Sequence, residues 1–260
     1  MFKILKYSFY DLMRSRWSYV YFLFYLLLGF VLLFLNNDVS KAVITLMNII
    51  IVLVPLIGTI FGVMYYYNSK EFTELLLAQP IKRSSIFLGQ YFGVAGSLSL
   101  SLVLGLGIPF VLYGLFRSDA IFDFTLLLVT GAFLTLIFTV LAFIIAISNE
   151  NKIKGFGYAV LLWLFLAVIY DGIFLMSLIV FEEYPLDTFS LGAILFNPID
   201  LSRTLILLKL DISALLGYTG AVFKQFFGTN IGVIISISVL SLWTLIPIWF
   251  LSFKAKRKDF

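Results

Sequence analysis

Residues 42–64 read AVITLMNIIIVLVPLIGTIFGVM, 23 positions without a single charge. At roughly 1.5 Å per residue a helix of that length covers about 35 Å, and the hydrocarbon of a bilayer is about 30 Å thick. The stretch therefore reads as a membrane-spanning helix. Five further runs meet the same test: Trp17–Leu35, Ile86–Phe116, Phe124–Ile147, Gly155–Phe181 and Gly228–Phe253. Each is continuously apolar, whereas barrel strands show short alternating segments. The first run lacks a small-residue cleavage site, so it is expected to be a permanent span rather than a signal peptide.

Composition agrees. The 260 residues are 62% hydrophobic and 12% charged, with 29 Phe and 14 Tyr. Soluble domains run to about 45–50% and about 25% respectively, so a soluble fold and intrinsic disorder are both excluded. Cys and His are absent. Disulfides, thiolate nucleophiles, His-based hydrolytic triads and most transition-metal sites are thereby excluded. The five Met (Met1, Met13, Met47, Met64 and Met176) are scattered and form no thioether cluster for Cu(I). The chain has no G-x-x-x-x-G-K-[ST] and binds no nucleotide by that route.

Charge predicts the orientation. The N-terminal segment, the 65–85 and 148–154 loops and the C-terminal tail hold 13 of the 18 Lys and Arg. Lys41, Arg117, Arg203, Lys209 and Lys224 fall on the other side. The positive-inside rule then puts both termini in the cytoplasm. The net charge of +4 follows from this asymmetry and needs no nucleic acid.

In residues 1–16, Phe2, Leu5, Phe9, Leu12 and Met13 recur at helical spacing, and Lys3, Lys6, Arg14 and Arg16 fill the complement. This predicts an interfacial helix, either a generic anchor or an elbow resting on a cytoplasmic partner. Residues 65–85 predict a short helix from near Asn68, a break at Gln79-Pro80 and a new helix that Ser84 and Ser85 can cap. Its Leu75–Leu77 block sits among Glu71, Glu74, Gln79, Lys82 and Arg83, and so much apolar surface facing cytosol implies a cover. The 148–154 turn has a topological role only. Residues 182–227 form the long extracytoplasmic segment, and a loop of that length should contain helices. Asn197-Pro198 marks a break, Asp200 stands where an N-cap belongs, and a second helical stretch follows at Ser213–Phe227 around Gly217 and Gly220. Both stretches are apolar enough to lie in the outer interface or against another protein.

Two features lie inside the spans. Gly89, Gly93, Ser97, Ser101 and Gly105 are spaced by four, a small-residue ridge for close packing within one chain or between two copies. Asp171 is the only acidic residue within the apolar runs and sits in the outer part of the membrane. It either snorkels outward or faces a cavity or an outer-side base. One Asp cannot make an aspartyl dyad.

The layout resembles the ABC type-2 permeases, and among them the NosY group that serves nitrous oxide reductase maturation. The resemblance covers nearly the whole chain. It rests on DLMRSRW (11–17), KEFTELLLAQPIKRSSIFLGQYFG (70–93), YDG (170–172), NPIDLSR (197–203) and LLGYTGAVFKQFFG (215–228). Gliding-motility permeases look similar. The resemblance implies a single transmembrane domain over 1–260, a homodimer, and a multi-pass location in the inner membrane. It further implies a separate cytoplasmic ATPase, similar to NosF, that carries ATP and Mg; this chain would bind no cofactor and catalyse nothing. Residues 68–85 would be the coupling segment, with Leu75, Leu76 and Leu77 entering a groove of the ATPase. Glu71, Glu74, Lys82 and Arg83 would meet its surface charges beside Gln79 and Pro80. On the outer side Asn197, Pro198, Asp200 and Arg203 would contact a periplasmic protein resembling NosD. The implied task is transmission of ATP-driven motion toward copper or sulfur supply to the reductase. An exporter subunit for a lipid, drug or gliding-related cargo is the alternative. An intramembrane enzyme lacks paired polar groups at one depth, and a channel lacks repeated polar rings.

Overall fold

The computed structural model describes residues 1–36, 38–118, 120–181, 187–209 and 230–257. All regular structure among them is helical. Helix α1 (Phe2–Arg14) precedes the first span, α2 (Arg16–Asn36). Next come α3 (Val39–Asn68), the short α4 (Lys70–Leu77), α5 (Arg83–Leu112) and α6 (Ile121–Ser148). The fifth span is composite: α7 (Lys152–Leu164), a π-helical turn at Phe165–Ile169, and α8 (Tyr170–Val180). Two short helices, α9 (Asp187–Leu195) and α10 (Pro198–Lys209), precede the last span, α11 (Asn230–Arg257). Six helices are long and apolar enough to cross a membrane, and the protein is a multi-pass membrane protein.

The element ends follow local chemistry. Asp38 caps α3 by accepting from Ser40 N at 2.9 Å, and Asn151 caps α7 by accepting from Ile153 N and Lys154 N. The third span stops at Leu112, earlier than the expected Phe116. Gly114 just beyond it takes φ 94°, the left-handed conformation that closes a helix C-terminus. Ser84 and Ser85 do not cap α5. Lys82 holds the N-cap position without a side-chain bond, because helical geometry already begins at Arg83.

The start of α1 and the last turns of α11 lie at one end of the bundle. There the Tyr67 hydroxyl donates to Asn149 O at 2.7 Å, Lys152 Nζ to Asn68 Oδ1 at 3.0 Å, and Lys254 to the Ser148 hydroxyl. These bonds tie together the ends of α3, α6 and α11 and the start of α7. Helices α3, α5 and α6 form the buried centre, while α2, the fifth span and α11 surround them. Small residues set the spacing. A Cβ on Gly62 of α3 would stand 2.9 Å from Ala142 Cβ of α6. The ridge on α5 is used within the chain: Gly89 and Gly93 receive Ile4 and Ser8 of α1, and Gly105 receives Tyr25 of α2. The inward stripe of α1 is therefore Ile4, Ser8 and Leu12, whereas Phe2 is exposed. Of the expected apolar face Leu12 is buried, Leu5, Phe9 and Met13 are half-buried and Phe2 is exposed, while the glycine ridge takes Ile4 and Ser8.

Helix α10 is packed within the chain rather than laid on its surface. Ile199, Leu201, Leu205 and Ile206 are buried, and α10 packs against α3, α6 and α11. The turn between α9 and α10 reaches the middle of the fifth span, where Asn197 Nδ2 donates to Leu166 O at 2.8 Å. The expected second stretch at 213–227 lies outside the described residues.

A Cβ at Gly93 would come within 2.6 Å of Ser8 Cβ and 2.9 Å of Phe9 N, while Gly107 faces open space. Gly93→Ala is expected to cost about 1–3 kcal/mol as overpacking and to loosen α1. Gly107→Ala should be neutral or slightly stabilising. Thermal unfolding of the two variants in detergent checks the contrast.

Candidate functional site

At the end of the bundle that holds the start of α1, α3 passes into α4 through Ser69 alone. The Thr73 hydroxyl donates back to Ser69 O at 2.8 Å and accepts from Gln90 Nε2 of α5 at 2.8 Å. Phe72 stacks on Tyr7 of α1, with ring centroids 4.6 Å apart and planes at 27°. Helix α4 is thus fixed to three neighbours by its inner side. Its outer side presents Glu71, Glu74 and Leu75, the last 69% exposed, with Leu76 and Leu77 half-buried. Lys70 and Glu74 approach to 3.8 Å in an exposed i,i+4 pair, an arrangement of small energetic weight. Gln79, Pro80, Lys82 and Arg83 are exposed in the break and at the start of α5. Of the residues expected to couple, Glu71, Glu74, Leu75, Gln79, Pro80, Lys82 and Arg83 are exposed, and Leu76 and Leu77 are half-buried.

At the far end the structure joins Asp171 to Asn197, Asp200 and Arg203. Arg203 Nη1 lies 3.1 Å from Asp171 Oδ2 and 3.7 Å from Asp200 Oδ1. Asn197, not Asp200, is the N-cap of α10. Its carbonyl accepts from Leu201 N at 3.0 Å and its Oδ1 from Ile199 N at 3.1 Å. Pro198 then takes the first helical position, where its missing N–H costs nothing. Asp200 falls in the first turn and accepts from Asn197 Nδ2 at 2.6 Å. The Asn197 amide meets two acceptors, Asp200 and Leu166 O, and the carbonyl side meets a donor, which fixes its orientation.

This geometry corrects two expectations. Asn197, Pro198 and Asp200 are buried within the chain, so they do not form a docking surface. Arg203 turns inward to Asp171 rather than outward. Asp171 thus has the base that its place in the apolar run called for. The partner-contact reading failed because α10 is apolar on the side that meets α3, α6 and α11.

Asp200 belongs to α10, outside the six spans. Burial, and after it the charge of Asp171, pushes its carboxyl up to about 6; Arg203 and the Asn197 amide pull the other way. Its Oδ1 is buried and accepts no hydrogen bond. Two acids thus share one guanidinium, with Tyr170 held nearby by its bond to Ala193 O at 2.7 Å. Among the described residues, no group of three or more Asp or Glu could hold a metal ion.

Sequence reasoning missed the Tyr67 bolt on the 148–154 turn. Its one available signal was Gly155, since any Cβ there would collide with the Tyr67 hydroxyl. The Gln90–Thr73 bond was legible only as a buried amide in an apolar run. No family model matches the sequence, and no curated protein matches it.

Removing Arg203 leaves two carboxylates facing each other. About 3–5 kcal/mol is the cost for breaking a fully buried pair, and exposure of 29% and 31% for the two side chains lowers it to about 1–3 kcal/mol for Arg203→Met. Adding Asp171→Asn should recover part of that loss, and a double-mutant cycle on unfolding midpoints measures the coupling. Because the folded-state pKa of Asp200 is raised, the folded protein takes up the proton first. Stability should therefore increase as pH falls through about 6 toward the ordinary carboxylate range, and stay level above it. Asp200→Asn, which mimics the protonated acid, should remove that component; midpoints of both proteins between pH 7 and pH 5 check it.

Proposed function

We propose that this chain is the membrane-spanning permease subunit of an ABC transporter complex of the type-2 class. It transmits motion from a separate cytoplasmic ATPase to a partner on the outer side. The observation that carries the reading is α4. An eight-residue helix with an outward acidic and leucine surface is bonded on its inner side to α1, α3 and α5. A protein docked on Glu71, Glu74 and Leu75 would act on α3 through Ser69 alone and on α5 through the Gln90–Thr73 bond.

The concentration of Lys and Arg at this end supports its placement in the cytoplasm and the chain's location in an inner membrane. A homodimer completes the permease, since type-2 permeases of this length are half-units. The sequence resemblance favours maturation of the copper site of nitrous oxide reductase, with an ATPase similar to NosF and a periplasmic protein similar to NosD. ATP and Mg belong to the ATPase. With Asn197, Pro198 and Asp200 buried, the outer partner's contacts fall on other residues of the far end. The Asp171–Arg203–Asp200 cluster then serves to hold α10 against the spans.

Leu75→Asp and Glu74→Lys alter only exposed positions, so both variants should insert and fold as wild type. Each is expected to reduce recovery of the co-expressed ATPase at least fivefold in a pull-down from detergent. Recovery at the wild-type level for both would overturn the reading.

A further inference from the structure

A cleft of about 500 Å³ opens between α1, the α1–α2 corner, the last turns of α3 and the start of α4. That volume falls within the range of small-molecule sites, roughly 300–1,000 Å³. Its two ends differ in chemistry. Asp11, Asn68 and Ser69 line one end, beside the charged residues of α4. Ile60, Phe61 and Met64 line the other. Ile60 lies eight residues from Asn68 along α3, about 12 Å deeper at roughly 1.5 Å per residue. An amphiphilic occupant matches the two ends.

The polar end selects a cation. Asp11 is the only charged side chain in the lining and forms no ion pair among the described residues. The stacked rings of Tyr7 and Phe72, together with Trp17, add aromatic surface of the kind that attracts ammonium groups. The Tyr65 hydroxyl faces Ser8 and Asp11, on a side chain more than nine-tenths buried. A hydroxyl and a carboxylate side by side offer several acceptor lone pairs, which suits a group with several N–H donors. Arg14 and Arg16, neighbours of Asp11 and Ser15 in sequence, are exposed.

We propose that this cleft binds a phospholipid bearing a primary amine, phosphatidylethanolamine, with its ammonium at Asp11 and an acyl chain along Ile60–Met64. Choline lacks the N–H donors, and phosphatidylglycerol lacks the cation. A lysine from a docked protein would satisfy Asp11 but leaves the deep apolar end unfilled. The site is independent of any transport role.

The test uses the full-length protein in detergent with equal mole fractions of phosphatidylethanolamine, phosphatidylcholine and phosphatidylglycerol, and counts retained lipid by native mass spectrometry. Wild type should retain phosphatidylethanolamine at least fivefold over either competitor. Asp11→Asn should bring the three to parity, and Asp38→Asn, at the far end, should leave the preference intact. Parity in wild type would mean ordinary annular lipid and overturns the proposal, as does an undiminished preference in Asp11→Asn. A wild-type measurement needs no variant: phosphatidylethanolamine carrying an acyl-chain diazirine should label Ile60–Met64 above the exposed Leu242–Trp249 face of α11. Equal labelling of the two overturns the proposal.

Discussion

Close backbone approach on α5 is the constraint on which the other packing depends. Lipid tails are as apolar as leucine, so burial of apolar surface does not by itself bring two spans together. Van der Waals contact does, and it requires small residues. Gly89 and Gly93 hold α1, Gly105 holds α2, and Gln90 on the same helix bonds α4. Once α5 has drawn these three elements in, α6 covers another side, and α3 locks onto α6 through Gly58 and Gly62. A residue one methyl larger at Gly93 moves α1, and α1 carries the Tyr7 ring that steadies Phe72 of α4.

The polar groups obey a different rule. A backbone carbonyl or carboxylate without a partner is expensive inside a bundle, so each polar group at depth has a reason. Asn197 caps α10 while its amide serves Leu166 O and Asp200. The π turn at Phe165–Ile169 lies just where that amide arrives, and π turns within helices are enriched at such special positions. One guanidinium serves two carboxylates, and burial of Asp200 beside Asp171 raises its affinity for a proton.

Hydropathy made the six spans legible, because a bilayer imposes length and polarity on each helix separately. The α4 break was legible for the same local reason, since Pro80 forbids continuation. What could not be read was how deep an element sits. Helix α10 has the composition of an interfacial helix, and only its neighbours show that Leu201 and Leu205 face protein. The assignment of the cap to Asp200 rather than Asn197 failed on a shift of three residues. Both side chains are good caps, and the choice depends on where Pro198 sets the first turn. Asp171 and Arg203, 32 positions apart, were each legible as groups needing a partner; their pairing belongs to the fold.

Helix α3 connects these two chemistries. One end continues through Ser69 into α4, and along its length it packs on α10, which carries the Arg203–Asp171 pair. It is pinned midway by Trp163, whose indole donates to Val52 O at 3.2 Å, and lower down by Tyr67 on the 148–154 turn. A single helix thus joins the α4 end of the bundle to the face that meets α10. Densely packed helices do not deform gradually; they shift between discrete arrangements. Arg203 of α10 pairs with Asp171 of α8, so the separation of these charges depends on where α10 sits against the spans.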